Sequence, residues 1–151
     1  MTDWTEFSAG LAEELATLPA GALVVITEAD KPAGNCRYTQ FRQTDDLLEA
    51  QLTGDTYLSP ESRPSGPGRQ RIIDAGWQQP DSRHTDNWWI ELPWPITTAL
   101  YRQLADMVVT GLRDGFGITD PTTLVYDAWN DRAGNRRLPL PRLGLGWDRV
   151  Q

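Results

Sequence analysis

Ala22-Leu-Val-Val-Ile26, Arg37-Tyr-Thr-Gln-Phe-Arg42 and Leu47-Leu-Glu-Ala-Gln-Leu52 are the stretches that decide the fold. The first is continuously apolar and rich in β-branched residues, the pattern of a buried central strand. The other two alternate apolar with polar, as half-exposed strands do, and Asp45-Asp46 make the turn between them. Asp30-Lys-Pro-Ala-Gly-Asn35 is a turn by composition, so the three stretches form a meander. Upstream, Trp4, Phe7, Leu11, Leu15 and Leu18 recur every three or four residues and make one apolar helical stripe. Glu6, Glu13 and Glu14 fall mostly on the other side, and Pro19 with Gly21 ends the helix.

Downstream, residues 53–68 are dense in Pro, Gly and Ser and read as loop. A short helix is expected at Arg69–Ala75, capped by Gly76. After Trp77-Gln-Gln-Pro80 and a polar loop, Asn87-Trp-Trp-Ile-Glu-Leu92 is a strand closed by Pro93. A long helix begins at Pro95, with Ile96, Leu100, Leu104, Met107, Val108 and Leu112 on one face and Gly115 and Gly117 at its end. Leu124–Trp129 is a strand, and the turn Asp131–Asn135 folds Arg136–Leu140 back as its hairpin partner. The pattern predicts an α+β fold, an antiparallel sheet with helices packed on one face, in the order α-β-β-β-(short α)-β-α-β-β. Residues 1–151 are expected to form a single domain, with 130–151 as the hairpin return and a basic tail.

The chain carries a net charge of −7 and one cysteine, Cys36. A single thiol excludes an internal disulfide and suits a reducing compartment. No apolar run approaches the ~20 residues of a membrane span, and the N-terminus carries acids where a signal peptide would be basic. The expectation is therefore a cytoplasmic protein with no membrane partner. Residues 130–151 hold five arginines against Asp131 and Asp148, a local +3 in a chain of −7, so the remainder carries −10. An acidic body repels phosphate backbones, so nucleic acid is not an expected partner, and the basic tail is expected to dock on that body.

Reactive side chains are sparse. His84 is the only histidine. With Asp81 and Asp86 it could supply metal ligands or an acid–base pair, but the polar loop between Pro80 and Trp88 is ordinary ground for solvated side chains. No catalytic residue, metal or cofactor is assigned. Cys36, at a strand start without a neighbouring histidine, reads as a small buried thiol. Leu143-Gly-Leu-Gly146 and Gly115-Phe-Gly117 lack the strand–turn–helix setting of a phosphate loop. Glu13–Glu14 and Asp45–Asp46 are adjacent in sequence and point apart.

Tryptophan is the unusual feature, with seven residues, of which Trp77, Trp88, Trp89 and Trp94 cluster. Consecutive Trp88 and Trp89 on a strand face opposite sides, so both cannot join one core face. The second is either covered by a helix, a loop or the tail, or exposed beside a groove. Indoles are frequent hot spots of recognition, and these four are the candidate peptide-binding residues.

Tyr57-Leu-Ser-Pro-Glu61, Ala75-Gly-Trp-Gln-Gln-Pro80, Asn87-Trp-Trp89 and the helix end Leu112-Arg-Asp-Gly-Phe-Gly117 with Pro121 follow one another in a recognisable order. Together they resemble the actinobacterial branch of the YbjN-like and type III secretion chaperone-like proteins, the TY-Chap domains. The likeness covers roughly residues 1–130 and is strongest from 57 to 127. Arg63-Pro-Ser-Gly-Pro-Gly68 departs from it, because this run must break or delay the helix that such sequences begin after Ser-Pro-Glu. The resemblance implies a helix–meander–helix fold, peptide or protein binding, no cofactor, and often a dimer or a partner domain. Gly76, Trp77, Pro80, Asn87 and Trp88 match recurrent positions of that family, where they serve either to fix the fold or, for the tryptophans, to touch ligand.

The expected function is a non-enzymatic, chaperone-like or adaptor domain that holds a segment of a partner protein. It would do so by adding a strand to a sheet edge or by laying a helix into an apolar groove. An immunity or regulatory protein that occludes one specific partner is the alternative, and a small-molecule or metal-binding enzyme centred on His84 is a third. A homodimer is compatible with the first two.

Overall fold

Asp3 opens the first helix by accepting the Glu6 N–H at 2.8 Å, and α1 (Trp4–Ala16) buries Phe7, Leu11 and Leu15 along its apolar stripe. The computed structural model describes residues 2–29, 31 and 35–147. The turn expected over residues 30–35 lies largely outside the described residues, as do Asp148 and Arg149. Glu14 departs from the amphipathic expectation. It is buried, and its Oε2 accepts the main-chain N–H of Arg142 at 2.8 Å.

The meander forms as the alternation predicts: β1 (Ala22–Glu28), β2 (Tyr38–Gln43) and β3 (Leu47–Leu52) pair antiparallel in sequence order. Cys36 lies just before β2 and is half-buried rather than sealed in the core. β4 (Trp88–Pro93) adds to the outside of β3, and β5 (Leu124–Asn130) pairs antiparallel with the other edge of β1. β6 (Arg136–Arg137) completes the order β4-β3-β2-β1-β5-β6. The hairpin return is shorter than expected, because Pro139 has no N–H to continue the ladder beyond the Leu138 bond to Ala128. β7 (Gly146–Trp147) runs parallel to β5, the one exception to an antiparallel sheet among the described residues.

Side-chain alternation sorts the sheet into two faces. Val24, Ile26, Phe41, Ala50, Trp88 and Ala128 are buried on the face that the helices cover. Leu23, Val25 and Thr27 point the other way and are only half-buried. The continuously apolar β1 is central, but it is not sealed on both faces.

α2 (Gly66–Ala75) starts three residues earlier than expected, because Ser65 Oγ accepts the Gly68 N–H at 3.1 Å and caps it. The Arg63–Gly68 run thus delays the helix rather than abolishing it, and Gly76, at φ 113°, closes it in the left-handed region. α3 (Thr98–Val109) begins later than Pro95, since Thr97 Oγ1 accepts the Leu100 N–H at 3.2 Å. That start leaves Ile96 outside the helix and turns Leu100 to solvent, while Tyr101, Leu104 and Val108 are buried. A wider turn over Thr110–Gly115 ends the helix. There α2 lies backbone to backbone against it, because a side chain at Gly68 would run into the Gly115 carbonyl.

The described part of the tail, up to Trp147, is packed onto the body. Leu143 is fully buried, and the Leu140 N–H donates to the Tyr126 hydroxyl at 2.8 Å. Arg142 meets Glu13 at 3.3 Å and Glu14 at 3.5 Å, and Arg132 meets Asp45 at 2.7 Å. Among the described residues, no helix is long and apolar enough to cross a membrane.

Glu28 and Arg37 tie the end of β1 to the turn after α3. Glu28 accepts Arg37 Nε and Nη2, both at 2.8 Å, and Arg37 Nη1 donates to the Phe116 carbonyl at 2.7 Å. Burial alone would raise the Glu28 carboxyl, but the hydrogen bonds and charge of Arg37 outweigh it and hold the pKa below the ordinary carboxylate value. A depressed pKa gives stability that is present above the unfolded-state value and lost as pH falls through the folded one. Glu28→Gln is therefore expected to cost about 2 kcal/mol at neutral pH. The cost should shrink on acidification below roughly pH 4.5, as read by urea melts at several pH values.

Candidate functional site

The register places two rows of side chains across the open face. Trp129, Leu23, Arg42, Glu49 and Glu91 stand opposite one another in turn on β5, β1, β2, β3 and β4. Asp127, Val25, Gln40, Gln51 and Trp89 make the next row. Between them lies a hollow of about 200 Å³ lined by Leu23, Val25, Gln40, Arg42 and Trp129. Apolar and polar side chains share its lining, and Gln40 Nε2 donates to Gln51 Oε1 at 2.7 Å. Half-exposed Leu, Val and Trp side by side on a sheet face are the usual lining of a recognition surface.

The four candidate tryptophans separate. Trp77 and Trp88 are 3% and 0% exposed and belong to the core. Trp77 Nε1 donates to the Met107 carbonyl at 3.0 Å, which pins the loop after α2 to α3. Trp88 sits opposite Leu52 on the helical face. Trp89, on the open face, is half-buried because His84 lies flat on it at 3.7 Å with 5° between the planes. Trp94 is 49% exposed just beyond β4. Sequence reasoning missed Leu23, Val25 and Trp129. The signal was there in the unbroken apolar run of β1, which leaves alternate residues uncovered when helices occupy one face only.

At the β3–β4 end of the open face the 81–86 loop folds over the sheet. Asp81 Oδ1 accepts both the His84 main-chain N–H at 3.0 Å and the ring Nδ1 at 2.7 Å. His84 Nε2 faces Glu91 Oε2 at 3.1 Å. Burial pushes the imidazole pKa down, but the Asp81 and Glu91 carboxylates more than reverse this and the net shift is upward. Burial raises the Glu49 carboxyl; His84 and Arg42 pull it down, the Glu91 charge pushes it up, and the net shift is upward. The structure thus brings Asp81 to His84 as the sequence suggested. It supplies Glu49 and Glu91, rather than Asp86, as the neighbouring carboxylates, and only the strand register reveals that.

The profile described as T3SS (YopN, CesT) and YbjN peptide-binding chaperone 3, TY-Chap3, matches residues 1–130. The chain belongs to the TY-Chap3 family. No curated protein and no solved structure matches the chain significantly. The TY-Chap3 match ends where β5 does, so β6, β7 and the buried Leu140 and Leu143 lie beyond the matched region.

Gly76, Trp77, Asn87 and Trp88, which the family resemblance singled out, have structural roles in this chain. Gly76 is the left-handed cap of α2, and Trp77 and Trp88 are core. Asn87 is fully buried and bonded three ways: its Oδ1 accepts the Gly54 N–H at 2.8 Å. Its Nδ2 donates to Gln51 Oε1 at 2.9 Å and to the Tyr38 hydroxyl at 3.0 Å.

Proposed function

We propose that this TY-Chap3 protein holds an extended, apolar and basic segment of a client protein across the open face of its sheet. The observation that carries the reading is the hollow in which Leu23, Val25 and Trp129 lie half-exposed where no helix covers them. The family's description as peptide-binding chaperones supports the role, and the net charge of −7 favours a basic client over an acidic one. Face binding is preferred to strand addition because both edges are partly taken. β6 and β7 line the outer edge of β5, and Gln78 bridges to Trp89 on the outer edge of β4, which Pro93 closes. In this reading Trp89 forms one wall of the face and Trp94 offers a contact at its rim, while Trp77 and Trp88 act only as scaffold. The client is held rather than chemically altered, in a cytoplasmic setting.

The test is a panel of fluorescein-labelled peptides, apolar-basic, apolar-acidic and polar, read by anisotropy. Apolar-basic peptides should bind best. Val25→Arg and Trp129→Ala should each weaken that binding at least tenfold, with little change in the melting temperature, since both sites are half-exposed. Equal affinities for wild type and both variants would remove the open face as the binding surface.

A further inference from the structure

Glu49 and Glu91 stand directly opposite each other in the β3–β4 register, on the same face. Like charges in that relation destabilise a sheet. Yet among the described residues neither carboxylate forms a salt bridge with an arginine or lysine: Glu91 meets only His84, and Glu49 accepts a bond from Gln51 Nε2 at 3.2 Å. Arg42 stands opposite Glu49 and its charge eases the repulsion, but among the described residues it forms no ion pair with either carboxylate. His84 completes the cluster, and one ligand atom from each of Glu49, His84 and Glu91 lies within 4.8 Å of the others.

We propose that Glu49, His84 and Glu91 bind a divalent first-row transition-metal ion. This site goes beyond the peptide-binding reading and shares one residue with the hollow, Glu49, which is part of its lining. Two carboxylate oxygens and one imidazole nitrogen are the donor set that zinc, manganese or cobalt accepts, and three protein ligands leave room for water or for a group on a bound segment. The imidazole is oriented in advance. Asp81 takes Nδ1, Trp89 lies flat against the ring, and His84 is 8% exposed, which leaves Nε2 aimed at the two glutamates. A carboxylate behind a histidine ligand is the arrangement that fixes the tautomer and strengthens the donor. Asp81 is thus a positioning residue and not a ligand.

The experiment uses the full chain without an affinity tag, stripped with chelator and dialysed, and titrated with Zn²⁺ by calorimetry and with Co²⁺ by visible absorption. The expected result is saturable binding of one equivalent. Glu49→Gln, Glu91→Gln and His84→Gln should each weaken binding at least a hundredfold, and Asp81→Asn about ten- to a hundredfold. Because His84 is buried, its variant could misfold. The Glu91→Gln variant, at a partly exposed position, keeps the test decisive, with the fold checked by circular dichroism. No saturable binding by the wild-type chain at millimolar metal, or wild-type affinity in either glutamate variant, would overturn the site. Peptide binding measured on the chelated protein separates this outcome from that of the proposed function, since the hollow does not need the metal.

Discussion

Trp88→Ala is expected to destabilise the protein by about 3–5 kcal/mol, the largest effect of any single truncation considered. The indole is 0% exposed, lies opposite Leu52 in the ladder, and has the Arg69 guanidinium 5.8 Å from its ring centre. Its removal would leave a cavity between sheet and helices that a rigid strand cannot collapse to fill. For a chain of this size the loss corresponds to a fall of roughly 10–15 °C in melting temperature. Trp88→Phe separates volume from polarity. Among the described residues the Trp88 Nε1–H meets no acceptor, so phenylalanine loses volume but also removes an unpaired polar group, and its cost should be about 1–2 kcal/mol. Trp94→Ala, at an exposed site, should stay within about 0.5 kcal/mol. Urea melts of the three variants distinguish a core role from a contact role, and a Trp88→Ala protein as stable as wild type would contradict the packing described.

Asn87→Ala should cost about 3 kcal/mol, for a different physical reason. Little volume is lost, but three hydrogen bonds disappear and the buried Gly54 N–H is left without its acceptor. Gln51 suffers less, because Gln40 still donates to its oxygen at 2.7 Å. The damage should therefore be local to the junction of β3, the 53–54 turn and β4. Hydrogen exchange gives the specific readout: the Gly54 amide should lose protection by far more than amides of β1. Protection at Gly54 unchanged from wild type would show that the turn is held by something else.

Much of this molecule was legible in its residues, and the illegible parts share a cause. Periodicity located α1 and the β1–β2–β3 meander because their apolar stripes have a local spacing. The Gly76 cap was readable because a left-handed turn after Ala75 demands glycine. Helix starts were harder to place, since Ser65 and Thr97 win over Arg69 and Pro95 by side-chain hydrogen bonds that composition does not rank. The buried Glu14 was unreadable from α1 alone, because its partner is the Arg142 amide at the far end of the chain. The tryptophans show the same limit. Alternation proves that Trp88 and Trp89 part company, but which of them is core depends on where the helices pack. The open face and the Glu49–His84–Glu91 cluster needed the cross-strand register, which no local pattern encodes.

The central claim is that the uncovered sheet face receives the client. Methyl and indole shifts of isotope-labelled protein, followed during titration with an apolar-basic peptide, test it most directly. The account predicts that the Leu23 and Val25 methyls and the Trp129 indole N–H shift first and furthest, while Leu11 and Leu104 in the core stay still. Shifts confined to the cleft between α1 and α3, around Ser8, Arg102 and Asp106, would contradict it.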